Sequence, residues 1–288
     1  MKASKAAGLL RWAAVCCALF LAALRAVILK TAFDENGLLP VGSAALPLTV
    51  AACACVFAGL WALSTRLNRL PGTEACFARE PVFLACRLCA AVLVFFGSLT
   101  ALLDGGAEME RIGRIAAGSG FAAALAMLWT ALSRERGRTL FWLRLIPALF
   151  TGAALILRFR NWSHDPMTIH IAPLLLAWTC GMVEMMLLTG FPLGAGHRRS
   201  GVLFGLAAGV FTCMAVPDYL LGWQTGLSDL LTLLGVSLWC AEAAFSLLRR
   251  QVQEERPPAI PTETETLPEE QTETEAPAPE AAGTETHT

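Results

Sequence analysis

Four ionisable side chains lie inside long apolar stretches of this sequence, and these are the residues whose types and spacing best fit chemistry. They are Arg87, Arg144, Glu184 and Glu242. An ionised side chain at the centre of a membrane helix costs about 2.5 to 3.5 kcal/mol on insertion scales, so such residues are rare and often functional. Glu184 is the clearest example, because it is the one acid in the apolar stretch from Ala172 to Gly190.

These four residues also share one depth. Each lies about five or six residues from the end of its apolar stretch, which at about 1.5 Å per residue is roughly 8 to 9 Å inside one boundary of the bilayer. We therefore expect Arg144 to pair with Glu184 on the neighbouring helix, and Glu242 to pair with Arg87 or with Arg11.

This buried charge layer has two interpretations. Its charges cancel, which is typical of ion pairs that only fix the register of the helices. Alternatively, a glutamate that exchanges its arginine for a proton or a solute would couple transport to alternating access. The cancellation favours the structural interpretation, and the sequence leaves both open.

The composition is typical of a membrane protein. Of the 288 residues, 56% are hydrophobic and 16% are charged, with a mean hydropathy of +0.57, values far outside those of a soluble domain. The net charge of -1 hides an asymmetry: up to Arg250 basic residues exceed acids by 21 to 13, whereas from Gln251 onward there are ten glutamates and one arginine.

We predict an all-α fold of eight transmembrane helices, because about 20 apolar residues between polar breaks suffice to cross a bilayer. Short connections make successive helices antiparallel neighbours, so the simplest arrangement is four helical hairpins in one bundle. Pro217 and Asp218 interrupt the seventh span, so the alternative to its full length is a helix that stops near Val216 and leaves residues 219–223 in the interface. The spans cover residues 9–29, 45–64, 81–103, 112–132, 140–157, 167–190, 201–222 and 227–248.

The first span superficially resembles a secretory signal, because Lys2, Lys5 and Arg11 precede or begin it. Its apolar stretch exceeds the roughly 7 to 15 residues of a signal core and no A-x-A cleavage site follows, so we expect the helix to be retained.

Basic residues predict the orientation of the bundle. They concentrate on one set of flanks, which predicts that both termini are cytoplasmic in a cytoplasmic membrane. This set is Lys2, Lys5, Arg11, Arg66, Arg69, Arg79, Arg134, Arg136, Arg138, Arg198, Arg199, Arg249 and Arg250.

The segment from residue 251 to residue 288 is rich in Pro, Thr and Glu. Such a composition buries too little apolar surface to offset the entropy of ordering, so we predict a disordered acidic tail. The tail is either a plain solvated extension or a docking segment for a cytoplasmic partner.

Gly201, Gly205 and Gly209 are spaced four residues apart, so they form one bare stripe along the seventh helix. Such a stripe lets another helix approach backbone to backbone. We expect tight packing there, either inside the bundle or against a second copy of the chain.

A second group of charges lies near the opposite boundary. We expect most of these residues to form a wetted rim, although a vestibule for a polar solute is the alternative. The group is Arg25, Arg114, Arg158, Asp104, Glu108, Glu110, Asp165, Asp218 and Asp229.

Enzyme chemistry has little support in the sequence. Glu108, His164, Asp165 and His170 lack the spacing of a known metal motif, and no nucleophile elbow, P-loop or dinucleotide glycine pattern is present. Nine of the ten cysteines lie in apolar stretches, where thiols pack as small apolar groups, and only Cys76 lies in a polar loop. We predict no metal, no cofactor and no nucleic-acid binding.

Two functions from different classes remain. The first is a small-solute or ion transporter, or a membrane subunit of one, in which Arg144 and Arg87 gate Glu184 and Glu242. The second is a non-catalytic scaffold whose charges only set helix packing and whose tail binds a partner. A bundle in which every buried charge is paired would favour the scaffold.

Overall fold

Eight long helices make up almost all of the structure, a computed structural model that describes residues 3–32, 43–67, 71–77, 80–104, 111–133, 137–162, 168–221 and 226–254. Their bounds are α1 Ala3–Thr31, α2 Ala45–Ser64, α3 Pro81–Asp104, α4 Arg111–Leu132, α5 Arg138–Trp162, α6 Thr168–Gly190, α7 Arg198–Leu220 and α8 Leu227–Glu254.

Each of these helices is long and apolar enough to cross a membrane, with candidate spans of 19 to 27 residues, against the roughly 20 that a bilayer requires. The number of helices agrees with the prediction, and α2 has the predicted bounds. The main differences are at the ends: α1 begins six residues earlier than expected, and α8 continues to Glu254. The rest of the predicted tail lies outside the described residues.

The seventh helix does not stop near Val216. It continues through Pro217 and Asp218 to Leu220, because the Asp218 carboxylate is neutralised inside the bundle: both of its oxygens accept hydrogen bonds from Arg25, at 2.7 and 3.2 Å. A paired charge of this kind no longer limits the length of a buried helix.

The helices form a closed cycle of contacts. Going round it, α3 packs on α4, α4 on α5, α5 on α6, α6 on α8, and α8 on α3 again. Outside this cycle α7 packs against α6 and α8, and it also contacts α1 and α2. Because α3 and α8 are distant in sequence yet pack most extensively, the four-hairpin arrangement stays a prediction.

One end of the bundle is strongly basic. We call it the basic end: it is the end at which α1 begins and α8 ends. A two-stranded antiparallel sheet joins two connections there, since β1 (Pro71–Gly72) pairs with β2 (Gly196–His197). The described basic residues beyond the helix interiors at this end include Arg66, Arg138, Arg198, Arg199, Arg249 and Arg250.

The glycine stripe of α7 faces the inside of the bundle, which is one of its two expected locations. A side chain at Gly205 would place its Cβ 2.5 Å from the carbonyl oxygen of Cys240 and 2.9 Å from Cβ of Ala244. At Gly209 the nearest atom would be Cβ of Ala241, at 3.4 Å. Only a glycine allows α7 and α8 to approach this closely at position 205.

Replacing Gly205 with alanine should therefore destabilise the bundle. We expect a loss of about 1 to 3 kcal/mol, the usual cost of overpacking, measured as a lower midpoint of thermal unfolding in detergent. Gly118→Ala is the matched control, because nothing lies within 4 Å of its Cβ position. Equal losses in the two variants would contradict the close approach of α7 and α8.

Candidate functional site

Five charged residues form a cluster near the basic end, which we call the inner charge layer. It contains the four residues that the sequence singles out and one more, Glu74, from the connection between α2 and α3. The layer holds three carboxyl groups and only two guanidinium groups. One carboxyl is therefore left over when the ion pairs are formed.

The first ion pair joins α3 to α8. Nε of Arg87 donates to Oε2 of Glu242 at 2.8 Å, and the Glu242 side chain is 1% exposed. Of the two partners expected for Glu242, the structure therefore selects Arg87 rather than Arg11. The Arg87 guanidinium also lies 5.9 Å from the ring centroid of Trp239, a distance at which an aromatic face attracts a cation.

The second ion pair differs from the prediction, because Arg144 does not pair with Glu184. Its Nη1 lies 2.6 Å from Oε1 of Glu74, and its Nη2 donates to Oε2 of the same residue at 3.0 Å. Nη1 also donates to the backbone carbonyl oxygen of Leu188 at 2.9 Å. The carboxylate that neutralises Arg144 thus comes from a connection between helices and not from the neighbouring helix.

Glu74 reaches Arg144 because its segment folds into the end of the bundle. We call residues 71–77 the plug; they comprise β1, a 3₁₀ turn over Glu74–Cys76, and Phe77. Cys76 is 2% exposed, and its sulfur accepts hydrogen bonds from the guanidinium of Arg198 and from the backbone N–H of Thr73. The cysteine that the sequence places in a polar loop is therefore buried.

Aromatic contacts hold the plug in place. The ring of Phe77 lies between the two arginines of the layer, 5.7 Å from the guanidinium of Arg87 and 5.4 Å from that of Arg144. It also contacts the ring of Phe191, with 4.9 Å between centroids. Phe191 in turn packs against Gly72 and Gly196 of the small sheet, where a Cβ atom would meet its ring.

Glu184 is the carboxyl that is left over. Its side chain is completely buried, and neither oxygen has a hydrogen-bonding partner among the described residues. Its Oε1 lies 3.5 Å from the Cβ position of Gly201, an ordinary contact distance, so the carboxyl group lies against the end of the α7 stripe. Arg144 is close, since it binds Leu188, which lies one helical turn beyond Glu184 on α6.

A second set of charges lies toward the opposite end of the bundle. Arg25 and Asp218 form a pair whose side chains are 1% and 4% exposed, so for them the expectation of a wetted rim is wrong. Arg158 pairs with Asp229, and its guanidinium lies 4.1 Å from the ring centroid of Trp178. The side chains of Asp104, Glu108, Glu110 and Asp165 are not among those described, and Arg114 is exposed.

The residues considered for a metal site are mostly not described. Glu108, His164 and Asp165 fall outside the described ranges, as does the side chain of His170. Within those ranges, no group of three His, Cys, Asp or Glu side chains is placed to hold a metal ion.

Sequence reasoning missed Glu74 because it treats the charges of short connections as solvated. The one available signal is the composition of the plug, PGTEACF, in which Cys76 and Phe77 follow a turn-forming Pro-Gly pair. Two apolar residues beside an acid indicate a connection that packs inward.

Comparison of the chain with protein-family models, with curated proteins and with solved structures found no match.

The pair between Arg87 and Glu242 can be tested by a double-mutant cycle. Arg87→Leu and Glu242→Gln each leave one group of a buried pair without its partner, so each should cost about 3 kcal/mol of stability. The double variant should lose at least about 1 kcal/mol less than the sum of the single losses. The measurement is the free energy of unfolding in detergent.

Arg249 and Glu80 provide the control cycle, because this pair has the same 2.8 Å separation but side chains that are 49% and 36% exposed. Exposed pairs couple by about 1 kcal/mol or less. Strictly additive losses for Arg87 and Glu242 would contradict a stabilising contact between them.

Proposed function

We propose that this chain is a multi-pass membrane protein that moves a small polar solute or an ion across the bilayer, and that Glu184 takes up a proton during the transport cycle. The observation that carries this proposal is the burial of Glu184 without a hydrogen-bonding partner among the described residues. The eight apolar helices support the membrane assignment.

An isolated carboxylate is too costly to hold in an apolar interior. Such a group is stable there as the neutral acid, or as the anion when a cation lies against it. Glu184 has a cation within reach, because the guanidinium of Arg144 on α5 is bound to the carbonyl oxygen of Leu188, one turn beyond Glu184 on α6. It therefore has access to two states, a protonated acid and an ion pair, and a side chain with two such states can couple proton movement to a conformational change.

Other buried polar groups lie between Glu184 and the opposite end of the bundle. Trp178 is six residues earlier on α6, roughly 9 Å away along the helix axis. Its indole Nε1 and the hydroxyl of Tyr219 have no hydrogen-bonding partner among the residues described. With Arg158 against the Trp178 ring, these groups are the side chains that would bind the hydrogen-bond acceptors of a solute.

The alternative function is a membrane scaffold, and the ion pairs between helices favour it. Arg25 with Asp218, Arg87 with Glu242, and Arg158 with Asp229 each join helices that are distant in sequence. Pairs of this kind set helix register without any transport. Glu184 distinguishes the two functions, because a scaffold gains nothing from an acid outside the pairs.

We further propose that the basic end faces the cytoplasm, since Lys and Arg in short connections are retained on that side. The acidic tail would then be a cytoplasmic segment that is free to bind a partner. Association of the chain with a second copy or with a partner subunit in the bilayer is also a proposal.

The proposal predicts that water reaches Glu184 during the cycle. A Glu184→Cys variant, in a background in which the native cysteines are replaced, should react with a small charged thiol reagent in liposomes, although the glutamate is fully buried in the observed state. The measurement is the rate of labelling, with the reagent added first outside the liposomes and then on both sides.

Met185→Cys is the matched control, because Met185 lies at the same depth of α6 and is 2% exposed. It should stay unlabelled under conditions that label position 184. If the folded protein is labelled at neither position, Glu184 is a sealed acid and the scaffold function is favoured instead.

A further inference from the structure

The plug, at the basic end, contributes one carboxylate to the inner charge layer. Its carboxylate, Glu74, occupies the guanidinium of Arg144, while Glu184 lies one turn away along α6 without a partner among the described residues. Two carboxyl groups thus lie near the guanidinium of Arg144, which can neutralise only one of them well.

We propose that Glu74 and Glu184 compete for Arg144, and that transfer of Arg144 from Glu74 to Glu184 releases the plug and opens the basic end. This rests on the proposed function, because it requires Glu184 to exist in a protonated and an ionised form. It assigns Glu74 as a positioning residue of the transport site and gives Arg144 the role of a gate.

The distance involved is short. Arg144 already donates to the carbonyl oxygen of Leu188, and the Glu184 backbone lies one turn further into the bundle, about 5 to 6 Å along the helix axis. An arginine side chain has several rotatable bonds, so a change of rotamer covers this distance without movement of α5.

The proton and charge balance of the exchange is simple. The O–H bond of the Glu184 acid breaks and its proton leaves to water, so Glu184 becomes an anion. Arg144 keeps its charge and moves to Glu184, and Glu74 remains an anion that enters water at the basic end. The buried groups are therefore neutral in sum both before and after the exchange. The protein as a whole loses one proton, and the charge of Glu74 moves from the bundle into water.

The plug is built to move as a small unit. Its backbone is held to the bundle by a ladder of only two residue pairs, Pro71 with His197 and Gly72 with Gly196. Its other contacts include the Glu74 ion pair, the Cys76 thiol, the contact of the Phe77 ring with Phe191, and Phe77 beside two guanidinium groups. When the Arg144 side chain moves to Glu184, the plug loses both its ion pair and one of the two cation contacts of Phe77. A segment with so few backbone bonds to the bundle can open as a local unit, without unfolding of the helices.

Cys76 is a native reporter of this opening, because it is 2% exposed when the plug is in place. The experiment measures the rate at which a small charged thiol reagent modifies Cys76 in the full-length protein, read by peptide mass spectrometry. Cys180, which is 3% exposed inside α6, reports general unfolding in the same digest.

Glu74→Gln should speed the modification of Cys76 roughly tenfold, which corresponds to about 1.4 kcal/mol. Glu184→Gln should leave the rate unchanged or lower it, because the competitor for Arg144 is gone. The deciding variant carries both substitutions: its rate should fall at least roughly threefold below that of Glu74→Gln alone, since coupled sites are not additive.

Glu80→Gln is the control at the same end, because Glu80 pairs with Arg249 at 2.8 Å and lies outside the plug. It should leave the modification of Cys76 unchanged. Should Glu74→Gln also expose Cys180, Glu74→Asp replaces it in both the single and the double variant, with the same expected order of rates.

A double variant modified as fast as Glu74→Gln, or a Glu184→Gln variant modified faster than the parent, would overturn the competition. Such a result leaves the labelling of position 184 unaffected, so the gate can fail while the transport function stands. Conversely, the rates at Cys76 could show the competition while position 184 is never labelled. The plug would then be a switch in a protein that does not transport.

Discussion

The cost of burying an ionised side chain is the constraint on which the rest of this structure depends. Inside an apolar bundle a charge must lie against an opposite charge, or the group must lose its charge. Two buried ion pairs meet this requirement and at the same time join helices that are far apart in sequence: α1 to α7 and α3 to α8. A third pair, which is partly exposed, joins α5 to α8. A fourth, between Arg144 and Glu74, brings a connecting segment into the bundle. The contact between α3 and α8, which closes the cycle of helices, and the position of the plug each include such a pair.

Glu184 stands apart because it is buried between α6 and α7 and has no partner among the described residues. The α7 glycine stripe lies at the same place: Gly205 allows α7 to approach α8 closely, and Gly201 lies beside the Glu184 carboxyl group. Packing and charge are therefore linked at one place. In the function proposed above, a side chain that is either a neutral acid or the partner of Arg144 would provide the two states of a coupled transporter, whereas the closed pairs elsewhere only join helices.

Much of the fold can be predicted from the sequence, because a span of about 20 apolar residues has few alternatives. The bounds of α2 and the number of helices follow from this rule, and the common depth of Arg87 and Glu242 correctly indicates that they can meet. The partner of Arg144 could not be predicted, since depth arguments consider only residues on spans and Glu74 lies between two of them. The partner of Asp218 could not be predicted for a related reason: depth arguments compare neighbouring spans, and Arg25 is nearly 200 residues away in sequence.

The most direct measurement of the central claim is the protonation state of Glu184 in the membrane-embedded protein. Ordinary glutamates are ionised at pH 7, so the infrared carbonyl band of a protonated carboxylic acid can be assigned by comparing the parent protein with Glu184→Gln. We expect the parent to show this band at neutral pH, and we expect the band to disappear in Glu184→Gln and to persist in Glu242→Gln. Identical spectra for the parent and Glu184→Gln, without an acid band in either, would mean that Glu184 is ionised in the resting protein and would contradict the claim.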